Sequence, residues 1–156
     1  MDEKSLLPVI DDLGAFRREF RNDPVVDVLI YLWSGRPQLA EDLLNAMAPP
    51  ASSFRLRALL ADTWRDQGRY DEAIAAYREL VAAAAGTARE AVMRQHLGKA
   101  HFARGEYSRA LECFEDALEL RVREKADADL VASSQLAVRR ATELLKQPCT
   151  GDISRP

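Results

Sequence analysis

The sequence predicts an all-α fold, a stack of antiparallel helix pairs with capping helices at its ends, and three observations carry that expectation. The stretch Gly68-Arg69-Tyr70-Asp71-Glu72-Ala73, closed by Tyr77, returns as Gly105-Glu106-Tyr107-Ser108-Arg109-Ala110, closed by Phe114. A helical pattern precedes each copy, in Leu60 to Arg65 and in Leu97 to Phe102, so each unit reads as helix, glycine turn, helix. Self-similarity at such a period is the signature of a repeat array. Alanine is abundant and runs of β-branched residues are absent, which favours helix over strand.

The chain is long enough for one continuous core, at 156 residues. Its 22 basic and 25 acidic side chains leave a net charge of -3, without the basic surplus that a nucleic-acid binder uses against phosphates. Cys113 and Cys149 are too few for a disulfide framework or a metal cluster. Met1 to Ser5 is acidic and lacks a signal-peptide pattern, and no apolar run approaches the roughly 20 residues that span a bilayer. These features predict a cytoplasmic protein without membrane insertion.

Leu6, Val9, Ile10, Leu13, Phe16 and Phe20 recur at three and four, which predicts an amphipathic helix within residues 1–20. Such a helix either closes the N-terminal end of the stack or occupies a groove of the protein or of a partner. Asp23-Pro24 reads as a cap followed by proline at the first helical position, opening a helix through Val25, Val28, Leu29, Tyr31 and Leu32 that breaks at Gly35. Pro37 opens the next, Leu39 to Met47, which stops at Pro49-Pro50. The first pair is thus a divergent copy: Gly35 to Gly68 and Ala40 to Ala73 are both 33 residues apart.

The second pair runs from Phe54 to Arg65 and from Asp71 through Val81, extended by Ala82 to Ala85, and the third from Arg89 to Leu120. Asp71 and Ser108 are placed to cap the second helices. Glycine at each turn predicts a positive φ, which costs other residues roughly 1–2 kcal/mol. Asp127 or Asp129 opens a last helix with a stripe of Leu130, Ala137, Ala141, Leu144 and Leu145 that caps the stack. The expected layout is an N-terminal segment (1–20), one domain of three helix pairs plus a cap (21–147), and a disordered tail (148–156).

These residues resemble the tetratricopeptide repeat family, whose unit of about 34 residues carries W-x2-L-G-x2-Y, then A-x3-F, then P. The third unit matches in Leu97-Gly98 and Ala110-x3-Phe114, with Arg94 and His101 in the Trp and Tyr places. The second has Leu60-Ala61-x2-Trp64 and Ala73-x3-Tyr77, and the first keeps Tyr31, Ala40 and Leu44. The resemblance implies a right-handed superhelix in which Gly35, Gly68, Tyr70, Ala73, Tyr77, Gly98, Gly105, Tyr107, Ala110 and Phe114 are structural. It also implies a concave face lined by the first helix of each pair. On that face it puts Leu29 and Trp33, then Arg55, Asp62, Arg65 and Asp66, then Gln95, Lys99 and Phe102.

Such a face suits an extended or helical peptide, with Trp33 and Phe102 as anchors and Arg65 and Lys99 as charge contacts. The expected role is therefore a non-catalytic module that binds a partner protein of unknown identity and scaffolds an assembly. The alternatives are a self-associating structural array, hence a homo-oligomer, and a small secretion-type chaperone. The carboxylate clamp of one subclass of the family is not reproduced, because Leu59, Asp62 and Asp66 accompany Arg55. His96 and His101 are five apart, off one helical face, and no HExxH, phosphate loop or nucleophile elbow occurs. Neither metal, cofactor nor catalysis is expected.

Overall fold

The computed structural model describes residue 2, residues 4–47 and residues 53–147, and among these the chain forms helices and no strand. The helices are α1 (Leu13–Glu19), α2 (Val26–Trp33), α3 (Pro37–Ala46), α4 (Phe54–Asp66), α5 (Tyr70–Ala84), α6 (Glu90–Arg104), α7 (Tyr107–Arg123) and α8 (Ala128–Lys146). Three pairs, α2/α3, α4/α5 and α6/α7, are followed by α8, and each helix packs on the next. The first helices also touch one another, α2 with α4 and α4 with α6, so they form the tighter, inner side of the stack. The expected stop at Pro49-Pro50, Cys149 and the tail lie outside the described residues.

The turns inside the pairs share one backbone solution. Gly35, Gly68 and Gly105 have φ of 70°, 78° and 86°. The residue after each donates to a carbonyl five positions back: Arg36 to Tyr31 at 2.8 Å, Arg69 to Trp64 at 2.8 Å and Glu106 to His101 at 2.9 Å. Each glycine amide donates to a carbonyl three positions back, which completes a Schellman closure of the first helix. The turn from α7 to α8 repeats this bonding with Lys125 at φ 52° and Ala126 donating to Arg121 at 2.9 Å.

Packing between paired helices rests on small residues facing aromatic ones. Ala61, Ala73, Ala110, Tyr77 and Phe114 have no exposed surface. At Gly98 an added Cβ would stand 2.5 Å from Phe114 Cε1, so only glycine allows this approach of α6 to α7. Tyr70 and Tyr107 open α5 and α7 and are half-buried. The joint between the first two pairs is polar: Glu41 of α3 accepts from Trp64 Nε1 at 3.0 Å, Gln67 Nε2 at 2.8 Å and Arg69 at 3.0 Å.

Several elements depart from the expected bounds. Asp71 and Ser108 sit inside the first turns of α5 and α7, whose N-caps are Arg69 and Glu106, because the glycine closure leads directly into helix. Helix α2 starts at Val26, since Asp23 accepts from the amide of Val25 and its carbonyl from Val26, making a turn first. On α8, Ser134, Ala137 and Ala141 are buried, whereas Leu130 and Leu145 are exposed near its ends. The N-terminal helix is confined to α1, capped by Asp12, which accepts from Ala15 N at 2.9 Å. Pro8 bars the helical region to the residue before it, and Leu6 takes a φ of 59°.

Candidate functional site

The inner layer of first helices, α2, α4 and α6, is the candidate site, and it is partly filled. Of the nine residues expected to line it, Arg55 alone is exposed, while Trp33 and Asp66 are half-buried. Leu29, Asp62, Arg65, Gln95, Lys99 and Phe102 are buried. Their neighbours explain this: Tyr77 of α5 and His96 of α6 meet Asp62, Ser134 of α8 holds Gln95, and the chain's own N-terminal residues lie against Phe102 and the end of α2.

Burial is polar at the centre. Asp62 Oδ1 accepts from Tyr77 Oη at 2.6 Å, pairs with Arg65, and lies 3.1 Å from His96 Nδ1. Arg65 Nε donates to Asp66 at 2.7 Å. Burial opposes the charged form of Asp62, but Arg65, His96 and Tyr77 outweigh it and hold the carboxyl well below its ordinary range. Burial raises Asp66 and lowers the Lys99 ammonium to about 8, with Arg65 adding to the latter. Arg65 and Asp62 are committed to each other, so Arg65 does not face solvent as a docking charge.

Gln95 is likewise committed. Arg121 donates to Ser134 Oγ at 2.7 Å and to the Leu130 carbonyl at 2.7 Å, and Ser134 Oγ donates to Gln95 Oε1 at 2.8 Å. This chain fastens α8 to α6 and α7. Gln95 Nε2 and Arg121 Nε have no hydrogen-bond partner among the described residues.

Residues 4–10 run non-helically past the C-terminal ends of the first helices. Leu7 and Pro8 share a cleft of about 330 Å³ with Leu32, Trp33 and Pro37, and Lys4, Ser5 and Leu7 share one of about 340 Å³ with Arg65, Lys99 and Phe102. Leu6 has no exposed surface and joins the apolar cluster of Phe102, Ala110, Phe114, Ala137 and Ala141. The left-handed conformation of Leu6 costs roughly 1–2 kcal/mol, and full burial of a leucine stabilises by about 1.5–3 kcal/mol. Burial wins by a narrow margin.

Toward the N-terminal ends of α4 and α6 the inner side is open. Ser53, Phe54, Arg55, Ala58, Arg89 and Met93 line a cleft of about 570 Å³. Arg89 stands over the Phe54 ring at 5.2 Å from its centroid, and Arg55 reaches Asp23 through two bonds of 3.1 and 2.5 Å. The apolar side chains of Phe54, Ala58 and Met93 thus lie beside two guanidinium groups, of which Arg55 is already engaged by Asp23. The family resemblance put Arg55 on this face; it did not supply Phe54, Arg89 and Met93, which come together only when α6 packs beside α4.

Among the described residues, no group of three His, Cys, Asp or Glu side chains is placed to hold a metal, and no helix is long and apolar enough to cross a membrane. A family model described as "Tetratricopeptide repeat" matches residues 54–121, which are α4 to α7 without the last residues of α7. A search of curated proteins and a search of solved structures each found no match.

Proposed function

We propose that residues 21–147 act as one non-catalytic domain whose inner face receives a segment of a partner protein, because residues 54–121 match the tetratricopeptide repeat model and such repeats generally mediate protein–protein contact and scaffolding. The observation that carries this reading is the open cleft between α4 and α6, with Phe54 and Met93 at its floor and Arg55 and Arg89 at its rim. The segment it suits has an apolar side chain beside a carboxylate, the apolar group displacing water from the floor while the acid meets Arg89, Arg55 being held by Asp23.

The test is affinity capture from the protein's own cell extract with the intact chain and with Arg89→Glu, followed by cross-linking of whatever is retained. The expected result is one partner at near-unit ratio, cross-linked within residues 54–93 and lost with Arg89→Glu while the helical signal is unchanged. Retention by both chains would remove the cleft as the site. Recovery of the chain alone, with a size that grows with concentration, would assign self-association instead.

A further inference from the structure

We propose that residues 4–8 are a resident ligand of the inner face, and that this part of the face takes, from a partner, a non-helical segment of the same chemistry. In that segment a leucine fills the seat of Leu6, and an apolar residue followed by proline lies along Trp33. The inference rests on the partner-binding reading above and goes beyond it by naming what is bound and what competes with it.

Four observations support it. Leu6 belongs to the opposite end of the chain from the cluster that buries it, which is built from α6, α7 and α8. Among the described residues, the hydrogen bonds of residues 2–10 stay inside the segment: Asp2 N to the Leu7 carbonyl at 2.9 Å, Leu6 N to the Asp2 carbonyl at 2.9 Å, Lys4 N to Asp2 Oδ1 at 3.2 Å and Leu7 N to Ser5 Oγ at 3.4 Å. Among the described residues, apolar contact alone therefore ties it to the array. The strained backbone at Leu6 offsets much of what its burial contributes. Clefts remain along the segment at both Trp33 and Phe102, so the seat is larger than its occupant.

The tether is independent of the seat. Helix α1 packs on α2 through the Phe16 and Trp33 rings, 5.4 Å apart, so residues 4–8 can leave while α1 stays. A tethered segment acts at high effective concentration, and an external peptide binds with an apparent affinity reduced by the fraction of time the seat is filled.

The experiment uses the full chain, intact and as Leu6→Asp, titrated with a fluorescein-labelled synthetic peptide of residues 1–12 and read by fluorescence anisotropy. The expected result is binding to the Leu6→Asp chain at least about ten-fold tighter than to the intact chain, and no binding when the peptide itself carries Leu6→Asp. Equal binding to both chains, or no binding to a Leu6→Asp chain with intact helical circular dichroism, overturns the proposal. A Leu6→Asp chain that has lost its helical signal also overturns it, because Leu6 is then part of the fold and not a ligand. None of these outcomes involves the cleft at Arg89, so failure here leaves the partner-binding reading standing.

Discussion

The Tyr77 hydroxyl donates to Asp62 Oδ1 at 2.6 Å, joining α5 to α4 through a carboxylate that is 9% exposed. The same carboxylate pairs with Arg65, which is 5% exposed and also holds Asp66. Removing the cation leaves two acids without their guanidinium. Arg65→Met should therefore lower unfolding stability by about 3–5 kcal/mol, read from urea titrations. Arg65→Glu, which would be harmless on an open groove, should cost more and abolish the native helical signal at ordinary temperature. A loss below about 1 kcal/mol for Arg65→Met would show the pair to be solvated.

Lys99 supplies a pH dependence of definite sign. Burial, and then Arg65, lowers it to about 8, with Arg121 acting in the same direction and Asp62 and Asp66 against it. A free lysine titrates near about 10.4. Between about pH 8 and pH 10 the unfolded chain thus holds a proton that the folded chain has released, so stability rises with pH. Burial pushes the Cys113 thiol up to about 11 and so acts against this trend above about pH 9. Urea midpoints should climb from about pH 8 to about pH 9 in the intact chain and not in Lys99→Met, which should also be the more stable at neutral pH. Tyr77, raised above its ordinary value by burial, opposes the trend only above about pH 10.

Gly98→Ala probes the approach of α6 to α7. The new methyl group would meet Phe114 Cε1 at 2.5 Å and Cδ1 at 2.6 Å, and Phe114 is fully buried with no free direction to move. Overpacking of this kind costs roughly 1–3 kcal/mol. Thermal unfolding should show the loss, which Phe114→Leu in the same chain should partly restore. Equal melting of Gly98→Ala and the intact chain would mean that the two helices can separate freely.

Lys125 occupies the left-handed position that glycine takes in the three turns before it. Lys125→Gly removes a strain of roughly 1–2 kcal/mol and adds backbone entropy to the unfolded chain, for a net gain of about 0.5–1 kcal/mol. The measurement is the urea midpoint at constant slope. A destabilised variant would show that the lysine side chain contributes more than its backbone conformation costs.

The helix pairs were legible because their signals are local and repeated. Gly35, Gly68 and Gly105 mark turns that no other residue forms as easily, and Ala73 and Ala110 mark close approaches. What escaped was whatever depends on a single unrepeated residue. Asp62 and Arg65 read as groove charges because an acid and a base in mid-helix look solvated, and the partners that enclose Asp62, Tyr77 and His96, lie fifteen and thirty-four positions away. Lys99 followed the same logic. Leu6 fell within an apolar stripe that has helical spacing, and nothing in that spacing reveals that the helix starts only at Leu13 and leaves the leucine to enter a cluster built from the other end of the chain. Lys125 carries no glycine signature, so its left-handed backbone was not legible, although the break before Asp127 was.

The Schellman closures have an evolutionary corollary. Each turn satisfies its backbone amides with carbonyls of the helix it ends, as Arg69 does with Trp64 and Glu106 with His101, and only side chains such as Gln67 and Arg69 reach the neighbouring pair, at Glu41. A tandem duplication of the stretch from one glycine to the next would inherit a finished joint at either boundary. Lengthening such a chain then demands only that the newly abutting side chains tolerate one another, which makes the array extensible by copying in a way that a protein with shared, long-range turn contacts is not.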